Sequence, residues 1–109
     1  MINLSKYKTG LTNICQNNQV ISKLYLFGSA LTPRFNDKTS DIDVLVETAN
    51  VLPEEKGMKL MVLWDNLETL FGRKIDLLTE NSLKNPFLKQ EIEQTRKLIY
   101  DGQNRQIFI

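Results

Sequence analysis

Leu26-Phe27-Gly28-Ser29, a spacer from Ala30 to Ser40, then Asp41-Ile42-Asp43-Val44-Leu45-Val46-Glu47: the fold turns on how these two runs are read. The first closes the short apolar run Lys23-Leu24-Tyr25-Leu26-Phe27, which reads as a strand that Gly28-Ser29 bends into a turn. The spacer carries Thr32, Pro33, Asn36, Asp37 and Thr39, which is loop chemistry with room for one helical turn after Ser29. In the second run Ile42, Val44 and Val46 alternate with Asp41, Asp43 and Leu45, the period-two pattern of a strand. Asp41 and Asp43 therefore leave the strand on one face.

Working outward, Arg73 to Thr79 reads as a third strand, with Ile75 and Leu77 on one face and Asp76 and Leu78 on the other. Between the second and third strands, Pro53 stands where a first helical residue belongs and Gly72 where a terminator does. Met58, Met61, Trp64, Leu67, Leu70 and Phe71 are expected to form this helix's wide apolar face, with Trp64 and the methionines in the core. Glu54 and Glu55 suit its N-terminal dipole. Upstream, Leu4, Tyr7, Leu11, Ile14 and Cys15 fall at helical spacing from Leu4 to about Asn17. Downstream, Asn85-Pro86 resembles a helix start, with Phe87, Leu88 and Ile92 as its buried side. Lys97 to Tyr100 reads as a short strand and Asp101-Gly102 as a turn. The tail Ile107-Phe108-Ile109 reads either as a hairpin strand or as an exposed apolar end, and sequence leaves both open. This order predicts an α/β (α+β) sandwich: one small mixed sheet with helices packed on one side.

The 109 residues are expected to form one cytoplasmic domain, 1–109, and a hydrophobic fraction of 41% can sustain its core. A net charge of +1, from 14 basic and 13 acidic side chains, is not the footprint of a duplex-binding protein or of a membrane-surface protein. The single cysteine, Cys15, cannot form an internal disulfide and reads as a core residue in a reducing compartment. With no histidine in the chain, serine–histidine triads and histidine-based zinc sites are excluded. No run matches a signal peptide or the ~20 apolar residues of a membrane span.

Asp41, Asp43 and Asp76 interrupt apolar strands, where aspartate is disfavoured on packing grounds. Carboxylates brought together repel, and one then holds its proton to higher pH unless a cation intervenes. Oxygen-only ligands suit Mg²⁺ or Mn²⁺, which complete their shells with water and substrate phosphates. At Gly28-Ser29, glycine lets backbone approach a phosphate closely, and amides and a hydroxyl can cradle its oxygens. Glycine-serine, spacer, two alternating aspartates and a third strand aspartate together point to metal-assisted chemistry on a phosphate. Arg34, Lys38 and Lys74 are nearby cations; Lys74 shares a strand face with Asp76, and all three read first as solvated side chains.

Leu26 to Ser29 followed by Ser40 to Val46 resembles the signature of the DNA polymerase β-like nucleotidyltransferase superfamily, and in particular its minimal nucleotidyltransferase domains. Lys74-Ile75-Asp76-Leu77-Leu78 is similar to the family's later strand, and Arg96-Lys97-Leu98-Ile99-Tyr100 to its usual close, so the resemblance spans roughly Leu24 to Tyr100. After Ser29 this chain has Ala30-Leu31-Thr32-Pro33-Arg34, so the arginine comes later than is common in the family and the glycine is missing. The resemblance implies the nucleotidyltransferase fold and transfer of a nucleoside monophosphate, AMP from ATP, to an acceptor hydroxyl. It implies two Mg²⁺ ions, replaceable by Mn²⁺, on Asp41, Asp43 and Asp76, with the β- and γ-phosphates on Gly28 and Ser29. It also implies a partner, since minimal domains of this kind often act as antitoxins beside a helical HEPN-type ribonuclease. Two alternatives accompany it: a catalytically silent module that neutralises a partner by contact, and an antibiotic-type small-molecule adenylyltransferase subunit. Whether the chain forms a homo-oligomer is left open.

Overall fold

The computed structural model describes all residues from Met1 to Ile109. At its centre, β1 (Ile21–Phe27) and β2 (Ile42–Thr48) pair antiparallel. β3 (Ile75–Thr79) joins β2 in parallel, while β4 (Lys97–Asp101) joins β1 antiparallel. The two-residue β5 (Gln106–Ile107) closes the other edge, giving one mixed sheet in the order β3-β2-β1-β4-β5. The tail thus takes the hairpin reading, with Ile107 and Ile109 packed against the core.

Strand alternation divides the side chains between two faces. Leu24, Leu26, Ile42, Val44, Val46, Ile75 and Ile99 enter the main core. There they meet Leu11 and Cys15 of α1 (Lys8–Gln16) and Leu63, Leu67 and Phe71 of α2 (Pro53–Phe71). A 3₁₀ turn over Leu4–Tyr7 precedes α1, so the first helical segment is tighter at its start than its spacing suggests. The opposite face carries Tyr25, Phe27 and Leu45, and Ile92 of α3 (Pro86–Thr95) covers them together with Leu78, Leu83 and Leu98. The expectation of helices on one side therefore holds for α1 and α2 and is corrected for α3. The physical reason lies in β1: its residues are apolar on both faces, and the second face also has to be covered.

Two further expectations are corrected. On α2 the inward stripe is Leu60, Leu63, Leu67, Leu70 and Phe71, while Met58, Met61 and Trp64 are exposed. On α3 only Ile92 is buried; Phe87 and Leu88 face solvent. The boundaries of α2 follow the sequence signals. Pro53 occupies its first turn with Glu54 and Glu55, and Gly72 caps it in the left-handed conformation (φ 65°), donating its N–H to Glu68 O at 2.9 Å.

The outer edge of β3 is closed by side chains. Trp64 Nε1–H donates to Ile75 O at 2.7 Å, and Ile75 N–H donates to Glu68 Oε2 at 3.1 Å. At the other end, Thr79 N–H donates to Ser82 Oγ (3.1 Å), whose hydroxyl donates back to Thr79 O (2.8 Å). By alternation only Leu77 keeps an outward backbone pair for an added strand, which blunts this edge against strand addition. No helix of the chain is long and apolar enough to cross a membrane.

Candidate active site

β1, β2 and β3 lie side by side in a register that places Phe27 opposite Asp43 and Asp43 opposite Asp76. Asp43 and Asp76 therefore project from neighbouring strands onto the same face, at the end of the sheet where β1 turns away. Gly28 takes φ 74° there, a left-handed conformation that disfavours any side chain. A Cβ on Gly28 would also meet the Asp43 carboxylate, which would have to move aside. The next residues continue as a 3₁₀ turn, Gly28–Leu31. Buried Ala30 anchors it, and Ile2 N–H donates to the Ala30 carbonyl at 2.8 Å. Ser29 follows Gly28 as the second residue of this turn.

Burial pushes the Asp43 carboxyl up to about 6, helped by the Asp76 charge, a hydrogen bond shared with Asp76, and the Asp41 charge. The Asp43 carboxyl therefore holds its proton to higher pH than an ordinary aspartate. Lys74 Nζ stands 3.7 Å from Asp76 Oδ1, both well exposed, so water weakens this ion pair and leaves the repulsion uncompensated. Lys74 is on the face expected of it; Arg34 and Lys38 are exposed on the spacer.

Asp41 is exposed, one residue ahead of β2. No three acidic, histidine or cysteine side chains are gathered closely enough to enclose an ion. The structure brings together Asp43, Asp76 and Gly28, with Ser29 next in the turn, and leaves Asp41 within electrostatic reach of Asp43 without joining the pair. The donor set nonetheless fits a hard divalent cation: it is all oxygen, carries excess negative charge, and has one acid held above its ordinary range.

Sequence reading missed Arg73. Its guanidinium reaches back across the spacer, donating to the carbonyls of Asn36 (3.2 Å), Ser40 (3.3 Å) and Asp37. It also stacks over Phe35 with 5.0 Å to the ring centroid. Asn36 folds the same segment on itself, its Oδ1 accepting from the N–H groups of Lys38 and Thr39 while its own N–H donates to Ser40 Oγ. Arg73 therefore holds the residue directly before Asp41. No local pattern marks it, because its hydrogen bonds span 33 to 37 positions of chain. Away from the site, Cys15 is buried and its thiol pushed up to about 12 by burial, which agrees with a core role.

Comparisons with known proteins give one family and a matching fold. The family model described as Polymerase beta, Nucleotidyltransferase matches residues 10–105. A Methanocaldococcus jannaschii protein with the provisional name of protein adenylyltransferase is 34% identical over 87 residues, covering 80% of this chain and 83% of its own length. Another from the same organism, similarly named, is 36% identical over 87 residues with the same coverage. Among solved structures, a toxin–antitoxin with AMP-PNP superposes with TM-score 0.64 at 22% identity, over 90% of this chain and 77% of that one. A complex of tri-AMPylated Shewanella oneidensis HEPN toxin with MNT antitoxin gives TM-score 0.62 at 21% identity, over 94% and 76%. At these identities the solved structures speak for the fold alone.

Proposed function

The chain belongs to the polymerase β nucleotidyltransferase family, and from that premise we propose that it moves AMP from ATP onto a hydroxyl of a partner protein. The observation that carries this reading is the Asp43–Asp76 pair set directly against the left-handed Gly28 turn. One feature wants positive charge and the other accepts a phosphate against backbone. A metal–triphosphate satisfies both.

In this reading Gly28 and Ser29 hold the β- and γ-phosphates by backbone amides and the Ser29 hydroxyl. Asp43 and Asp76, joined by Asp41, would hold Mg²⁺, which neutralises the phosphates and polarises the α-phosphate. The acceptor oxygen attacks the α-phosphorus in line, the bond to the bridging oxygen breaks, and pyrophosphate leaves. Asp76 orients the acceptor hydroxyl and receives its proton. Arg73 keeps Asp41 in place through Ser40. Positioning and charge account for most of the rate. The fold shared with MNT antitoxin complexes, and the names of the archaeal relatives, support a protein acceptor and a helical HEPN-type partner. Residues 1–109 would act as one minimal domain.

The test is transfer of label from α-³²P-ATP to protein in an extract of the source cell, with Mg²⁺ present. Wild type should label a discrete band, and Asp41→Asn with Asp43→Asn should abolish it. Ser29→Ala should only reduce it, since backbone amides remain. Absence of label from wild type, together with undiminished neutralisation of the partner by the double variant, would establish a contact-only module instead.

A further inference from the structure

We propose that the outward face of α2 is a docking surface for a partner protein's amphipathic helix, one whose apolar anchors are flanked by lysine or arginine. α2 is apolar on two sides. Its inner stripe is buried in the core, while Met58 (71% exposed), Met61 (72%), Val62 (49%) and Trp64 (41%) stand in water. Met58, Met61, Val62 and Asp65 fall at i, i+3, i+4 and i+7, the spacing by which one helix offers a seam to another. A contiguous patch of this kind on a domain this small marks an interaction site.

The surface is shaped as well as apolar. Trp64 is fixed by its Nε1–H bond to Ile75 O, so its ring is presented at low entropic cost. Met61 forms a ridge between two open hollows. One, of about 340 Å³, lies among Met61, Trp64, Asp65, Glu68, Lys74 and Ile75. The other, of about 610 Å³, lies among Met58, Met61, Val62 and Asp65. Thioether side chains adapt to the knobs that enter such hollows.

Charge decides the occupant. Glu54 and Glu55 lie one turn before Met58, and Asp65 one turn after Met61 along the same stripe. Lys59 borders Met58 and Val62 on one flank, Lys74 closes the far end and Lys56 turns by periodicity toward the buried side, so Glu54, Glu55, Asp65 and Glu68 leave the seam net acidic. A second copy packed antiparallel across a two-fold axis would set Glu54 and Glu55 against Asp65, carboxylate on carboxylate, which penalises self-pairing. A helix with basic ends meets complementary charge at both places. The seam ends at Lys74, whose ammonium neighbours Asp76, so a partner seated here would border the carboxylate pair.

The inference does not rest on transfer. Its test contains neither nucleotide nor metal, so its failure leaves the transfer reading standing. The probes are two synthetic helical peptides with leucines at i, i+4 and i+7, one flanked by arginines and one by glutamates. Binding is read from the fluorescence of Trp64, the chain's single tryptophan, and from anisotropy of labelled peptide. The arginine peptide should bind saturably, at least about tenfold tighter than its glutamate twin, and weaken with salt. Met58→Asp with Met61→Asp should cost about tenfold or more, and Glu54→Lys, Glu55→Lys, Asp65→Lys should reverse the preference. All these positions are exposed, so the fold should persist, checked by far-UV circular dichroism. No binding, equal binding of both peptides, or a concentration-dependent dimer abolished by Met61→Asp would each overturn the proposal.

Discussion

Asp43→Asn should make the metal-free protein more stable at neutral pH, by an amount that vanishes in acid. In the folded chain the Asp43 carboxyl is raised from 3.8 to about 6, chiefly by burial and then by Asp76. For a group sealed from water that displacement corresponds to about 3 kcal/mol. Asp43 is only half-buried, and screening brings the expectation down to about 1 kcal/mol. Because the folded state holds the proton more tightly than the unfolded chain, wild-type stability is highest below about pH 4. It falls as pH rises toward 6, and then levels off. The asparagine variant keeps the shape and lacks this slope. Its advantage should grow from near zero at pH 4 to about 1 kcal/mol at pH 7, or about 5 °C in Tm for a domain of this size. Urea titrations at pH 4, 5, 6 and 7 measure it. A variant less stable than wild type by the same amount at every pH would show that Asp43 is a structural polar residue, and would refute the view of a strained carboxylate pair.

Other substitutions probe the parts that hold the site. Arg73→Gln should cost about 1–2 kcal/mol and speed amide exchange across residues 33–40, measured by mass spectrometry, while Arg73→Lys restores little because the fork geometry is lost. Gly28→Ala should destabilise by about 1–2 kcal/mol from its left-handed backbone alone, and should remove ATP binding in calorimetry because its Cβ displaces the Asp43 carboxylate. Trp64→Phe deletes the bond to Ile75 O and should cost about 1 kcal/mol in a thermal melt, while leaving ATP binding intact.

What could be read from sequence divides along physical lines. Asp43 of β2, Asp41 just ahead of it and Asp76 of β3 were legible because period-two alternation fixes faces, and the parallel register then sets Asp43 beside Asp76. The ends of α2 were legible because Pro53 and Gly72 act locally. Its orientation was not: Leu60, Leu63 and Leu67 define one apolar stripe and Met58, Met61 and Val62 another, and periodicity cannot rank two stripes. α3 was placed on the wrong face because Phe87, Leu88 and Ile92 show only that a helix has an apolar side, not which layer it meets. Arg73 escaped because it acts on carbonyls far along the chain, where side-chain type carries no trace. That Asp41 stands exposed ahead of β2 was likewise invisible, since spacing places it on the face without setting its reach.

The role of the carboxylate pair is tested most directly by titrating ATP into the protein with Mg²⁺ and again with the metal chelated, for wild type and for Asp43→Asn with Asp76→Asn. If Gly28–Ser29 and the aspartate pair together hold a metal–triphosphate, wild type should bind ATP only when Mg²⁺ is present. Saturation should raise Tm by mass action, worth about 2.7 kcal/mol at a hundredfold excess over Kd, and the double variant should show neither effect. Binding that persists in chelator, or survives in the double variant, would contradict the assignment of these carboxylates to the metal and the triphosphate.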